Sequence, residues 1–71
     1  MEANVKLGRL IRMMRKELGM TQEELANELF ISQTHLRNIE LGKVNCSVNM
    51  ADKIIRYLLK KREQQNRRNQ G

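Results

Sequence analysis

Seventy-one residues with a formal net charge of +6 make one small domain rather than two. Proline and tryptophan are absent and only one Phe and one Tyr occur, which excludes a β-sandwich or barrel and favours an all-α fold. The single Cys46 excludes an internal disulfide and most cysteine-based metal sites, while the lack of a signal peptide or bilayer-length apolar run predicts a cytoplasmic protein.

Leu7, Leu10, Ile11, Met14 and Leu18 recur at helical spacing and predict a first helix, with Asn4 as its cap and Gly19 as its stop. Arg9, Arg12 and Lys16 lie off that stripe, facing water or a partner. Thr21-Gln-Glu-Glu24 has the form of a capping box. It opens a second helix of barely two turns, Gln22 to Leu29, with Leu25, Ala26 and Leu29 along one edge. Ser32 caps a third run in which Leu36 and Ile39 point one way and Gln33, Thr34, Arg37, Asn38 and Leu41 the other, with Gly42 closing it. After a loop from Lys43 to Cys46, Ser47 or Asn45 can cap a fourth helix whose stripe is Val48, Ala51, Ile54, Ile55, Leu58 and Leu59. The domain is expected to occupy residues 1–62. Residues 63–71 lack an apolar anchor and are expected to form a basic, polar, disordered tail.

Charge is unevenly placed. Residues 1–20, 42–59 and 60–71 are net positive, and residues 21–41 net negative. Basic segments flanking an acidic centre suit a polyanionic partner such as nucleic acid, although a solvated basic tail gives the same pattern. The second and third helices are each too short to be stable alone. Joined by a three-residue turn, they have the form of a helix-turn-helix, whose first helix crosses the DNA backbone and whose second enters the major groove. A polar face opposite a core stripe is ordinary on any surface helix. The motif around it is what turns Gln33, Thr34, Arg37 and Asn38 into candidate base readers.

The segments L7-G-R-L-I-R12, Arg15, G-M-T-Q-E-E-L-A26 and I-S-Q-T-H-L-R-N-I-E-L-G42 together resemble the Cro and phage-repressor type of helix-turn-helix family, over about residues 5–59. The resemblance implies a compact, lambda-repressor-like bundle of four, or at most five, short helices. It implies base reading by Gln33, Thr34, Arg37 and Asn38, a phosphate clamp at Gln22, and an ion pair between Arg15 and Glu40. Ser32, Arg12, Arg15, Lys16, His35 and Lys43 are expected on phosphates as well, through charge or proximity to a helix N-terminus. Two positions depart from the family pattern. Phe30 stands where a left-handed Gly is usual, which costs about 1 kcal/mol or changes the turn. Cys46 stands where Pro is frequent, loosening the start of the fourth helix.

The expected function is a sequence-specific regulator of transcription that binds double-stranded DNA. It would act as a repressor or autoregulator, of bacterial or phage type, and as a homodimer on a palindromic operator in the nucleoid. Met50, Ile54 and Tyr57 form a second apolar column on the fourth helix, which is either a self-contact, with Leu41 or Val44 nearby, or a simple edge of the core. The competing reading is a protein-interaction module, an antitoxin or adaptor. No catalytic or metal-ligating constellation surrounds His35, so no enzyme, cofactor, small-molecule ligand or membrane partner is expected.

Overall fold

The computed structural model describes the backbone of residues 2–70 and the side chains of residues 3–66. Its elements are α1 (Glu2–Glu17), α2 (Gln22–Leu29), α3 (Gln33–Glu40) and α4 (Val48–Gln70), with no strand among the described residues. The bundle is all-α with four helices. A fifth is not formed, because α4 runs unbroken for 23 residues.

The two central helices are held by caps and by burial. In α2, Glu24 N donates to Thr21 Oγ1 at 3.1 Å and Thr21 N donates to Glu24 Oε1 at 2.9 Å, the reciprocal pair of a capping box. In α3, His35 N donates to Ser32 Oγ at 3.0 Å. An eight-residue helix does not persist in water by itself. Leu25, Ala26 and Leu29 of α2 are buried, and the two leucines supply about 3–6 kcal/mol as an upper bound. Leu36 and Ile39 do the same for α3. Ile11 and Met14 from α1 and Ile54 and Leu58 from α4 complete the core.

The turn between α2 and α3 keeps the family backbone despite its bulky residue. Phe30 sits at φ 59, ψ 40 in the left-handed region, and Ile31 N donates to Ala26 O at 3.0 Å to close the helix. The Phe30 side chain is 90% exposed, so the strain of about 1 kcal/mol is not offset by burial of the ring. Steric necessity appears instead at Gly8. A Cβ there would stand 2.5 Å from Glu40 O and overlap Ile39 O, so α1 crosses the end of α3 in backbone contact. Gly42, at φ +73, turns the chain out of α3 directly against Val5.

Several sequence expectations shift. Asn4 lies inside α1, which begins at Glu2, and it caps nothing; its Nδ2 donates to Asn45 Oδ1 at 2.6 Å. Asn45 is thereby engaged, and Ser47 caps α4 by accepting from Met50 N at 3.1 Å. Leu10, Val48 and Leu59 lie on the predicted stripes yet remain largely exposed. Helix α4 also carries on through residues 63–70, where the sequence places a tail; Gly71 lies outside the described residues. Neither Gly nor Pro interrupts Val48–Gln70, and Gln65 Nε2 donates to Leu18 O at 3.2 Å, fastening this stretch to the end of α1.

Candidate nucleic-acid interface

Helix α3 packs on α1 and α2 by its Leu36–Ile39 edge and leaves its other side open. Gln33, Thr34, His35 and Arg37 are exposed and Asn38 is half-buried. A cleft of about 710 Å³ runs between this side, α1 and the start of α2. Arg9, Arg12 and Lys16 of α1 line one wall, Thr21 and Gln22 the head, and Gln33 and Arg37 of α3 the other wall. Two sets of residues separated by some twenty positions in sequence thus face one space. Thr34 and Asn38 are not part of the cleft lining, nor are Ser32, His35 and Lys43, which are exposed outside it.

The floor of the cleft is an ion pair. Arg15 Nε donates to Glu40 Oε2 at 2.7 Å and Arg15 Nη2 to Glu40 Oε1 at 3.0 Å, a bidentate arrangement. Arg15 Nη1 donates to Met20 O at 2.8 Å, and Gln22 Nε2 donates to Glu40 Oε1 at 3.1 Å. Arg15 is 7% exposed and Glu40 5%. One carboxylate therefore ties α1, the α1–α2 turn, the head of α2 and the end of α3 together. The expected Arg15–Glu40 pair is present. The expected phosphate contact of Arg15 is not compatible with this geometry, since its guanidinium is buried and spent on Glu40 and Met20 O. Gln22 keeps a second amide hydrogen for a ligand in the cleft.

Arg9 is the residue that sequence reasoning left unassigned. It shares a helical face with Arg12 and Lys16 at i, i+3 and i+7, a spacing visible in the sequence. What the sequence does not reveal is that this face borders α3. Val5 and Leu41 also line the cleft, at its apolar end.

Of the two readings of the Met50–Ile54–Tyr57 column, the structure favours the core edge. Ile54 is fully buried in the core, and Met50 and Tyr57 are half-buried against it, so the column is not an open surface. Tyr57 stands near enough to α2 to feel its carboxylates. Burial pushes its phenol pKa up, helped by the Glu28 and Glu24 carboxylates. Lys53 Nζ donates to Leu29 O at 3.0 Å, at the end of the same helix. Glu24 is held below the usual carboxylate range, chiefly by the Thr21 N–H and then by the Thr21 hydroxyl, burial opposing and Lys61 assisting slightly. Burial also raises the Cys46 thiol pKa. Among the described residues no group of three His, Cys, Asp or Glu side chains could hold a metal ion, and no helix is long and apolar enough to cross a membrane.

A helix protruding from a short two-helix unit, with its head group of amides and cations beside it, defines the helix-turn-helix class of DNA-binding regulators. The sequence comparisons agree. A helix-turn-helix family profile matches residues 11–65, most of the chain. The chain is 43% identical over 49 residues to an uncharacterized HTH-type transcriptional regulator of Methanothermobacter thermautotrophicus, covering 69% of this chain and 71% of that protein. No solved structure matches at a significant level. The chain belongs to the Cro and phage-repressor type of helix-turn-helix family.

Proposed function

We propose that the protein represses transcription, its own or a neighbour's, by binding a palindromic operator in duplex DNA as a homodimer, within the nucleoid. The observation that carries this reading is the shared cleft. Cations that suit phosphates and side chains that suit base edges line opposite walls of one concave surface. In this reading α3 enters the major groove and α1 lies along the adjacent backbone.

The roles divide by chemistry. Gln33 pairs bidentately with adenine and Arg37 with guanine, each pair discriminating by about 1–3 kcal/mol. Thr34 presents its methyl to a thymine, and Asn38 serves a base or a phosphate. Arg12, Lys16 and Lys43 supply phosphate contacts by charge. Gln22 supplies one by its free amide hydrogen, and Ser32 and His35 supply theirs beside the N-terminus of α3. Arg15 acts indirectly, by holding Glu40 and through it Gln22. The palindrome follows from reading geometry: one short helix spans few base pairs, so two copies on half-sites a helical turn apart are needed for a specific site.

Selection of random duplex DNA on the full chain tests the reading directly. A palindromic consensus with half-sites about 10 base pairs apart, centre to centre, is the expected result. Absence of enrichment would overturn it in favour of a protein-binding module.

A further inference from the structure

Among the described residues Phe30 alone, apart from glycines, has a left-handed backbone, at φ 59 and ψ 40. For a bulky side chain that conformation is an outlier. Its ring is 90% exposed, more than any other large apolar side chain left open to water. Burial does not offset the strain, and a glycine would remove it. Strained residues of this kind cluster at binding sites. The turn is also pinned on both sides of the ring, since Ile31 N donates to Ala26 O at 3.0 Å and Lys53 Nζ donates to Leu29 O at 3.0 Å. The ring is therefore held outward on a fixed backbone.

Phe30 stands two residues ahead of Ser32, the cap of α3, and three ahead of Gln33. Three residues of chain span at most about 11 Å, roughly three base-pair steps of a duplex. A helix of this class reads bases with its N-terminal residues, so the ring is offered to the same groove a few base pairs from the Gln33 contact. It lies outside the cleft lining. Phe30, Ile31 and Ser32 bring no cation, and Lys53 Nζ is engaged on Leu29 O, so this corner is not built for a phosphate. What it presents is an apolar ring. The apolar group displayed in the major groove is the C5-methyl of thymine, and Phe is among the side chains that pack on it.

We propose that Phe30 reads a thymine methyl in each half-site, beside the base pairs read from α3. The proposal rests on the DNA-binding reading above and adds a specificity-determining residue to it. On binding, ring and methyl leave water together. The left-handed turn is already set in the free protein, so no ordering of the backbone opposes the contact. Because the ring is neutral, it adds sequence preference without adding to the salt dependence. It also differs from the contact assigned to Thr34, which is made from within α3.

The sequence enriched by the full chain from random duplex DNA supplies the probe. Each thymine of a half-site is replaced in turn by uracil, which removes the methyl group and nothing else. Affinity is then measured by fluorescence anisotropy at fixed salt. At one position the wild-type protein is expected to lose about fourfold per half-site, the value of one methyl group taken out of water. In Phe30→Gly that penalty should vanish and the thymine duplex should itself bind about fourfold more weakly, while the penalty at the thymine under Thr34 remains. Phe30→Tyr keeps the ring and should keep the penalty. Phe30→Gly should also melt close to the wild type and retain its salt slope, which separates base reading from a structural role. A wild-type protein indifferent to uracil at every position, or penalties identical in Phe30→Gly throughout, would overturn the proposal. An enriched palindrome bound equally by wild type and Phe30→Gly would leave the DNA reading standing and sink this contact alone. No enrichment at all would remove both.

Discussion

Replacing Glu40 by Ala probes the structural premise of the interface. The carboxylate is 5% exposed and takes two bonds from Arg15 and one from Gln22. Its removal leaves a buried guanidinium bonded to Met20 O but without its carboxylate, and frees the head of α2 from the end of α3. Breaking a buried pair from one side costs about 3–5 kcal/mol. A domain of this length has on the order of 4–11 kcal/mol in all. The loss corresponds to a fall in Tm of roughly 12–24 °C at the lower figure, read by circular dichroism. A paired variant then separates stability from positioning. Arg15→Met with Glu40→Leu replaces the ion pair by apolar contact and should recover stability to within about 1 kcal/mol of wild type. It leaves Gln22 without its anchor, so duplex affinity, measured by fluorescence anisotropy at fixed salt, should stay reduced. A loss below about 1 kcal/mol for Glu40→Ala would refute the buried hub. Full recovery of affinity in the double variant would refute its positioning role.

The other expectations are narrower. Gly8→Ala should destabilise by about 1–3 kcal/mol or more, because its methyl group meets backbone carbonyls that cannot rotate away; a neutral result in urea unfolding would contradict the crossing geometry. Phe30→Gly should be neutral to slightly stabilising, by about 0–0.5 kcal/mol, as relief of left-handed strain is largely offset by the added freedom of the unfolded chain; a clear loss would mean the ring packs on something. Thr21→Ala should cost about 1 kcal/mol at neutral pH. The Glu24 share of that cap has a sign: its folded pKa is lowered, so the stabilisation is present above the ordinary Glu value and disappears as pH falls through the lowered one. Glu24→Gln should therefore flatten the acid limb of the stability profile. Arg37→Ala should relax base preference at one position per half-site, whereas Arg12→Ala should weaken all sequences alike and reduce the salt slope by about one; identical effects would remove the division between reading and anchoring.

Local features of this chain are written in the sequence because they depend on neighbours a few residues away. The Thr21–Glu24 box, the Ser32 cap, the Leu36–Ile39 edge and the absence of strands follow from spacing and residue type alone. The Arg15–Glu40 pair was legible only through the family pattern, since no local rule links positions 25 apart. The strained Phe30 turn was foreseen as one of two outcomes, and the structure chose the left-handed one.

What tertiary packing decided is which side of each helix meets which neighbour. Helical periodicity tells that Leu10, Ile54 and Leu59 lie on apolar stripes, but not how far an adjacent helix covers them. Coverage buried Ile54, left Leu10 and Leu59 open, withdrew Arg15 from the surface and set Arg9 beside α3. The physical reason is that a stripe is a property of one rod, while burial and charge pairing belong to the angle and distance between rods, set here by backbone contact at Gly8 and by one buried carboxylate.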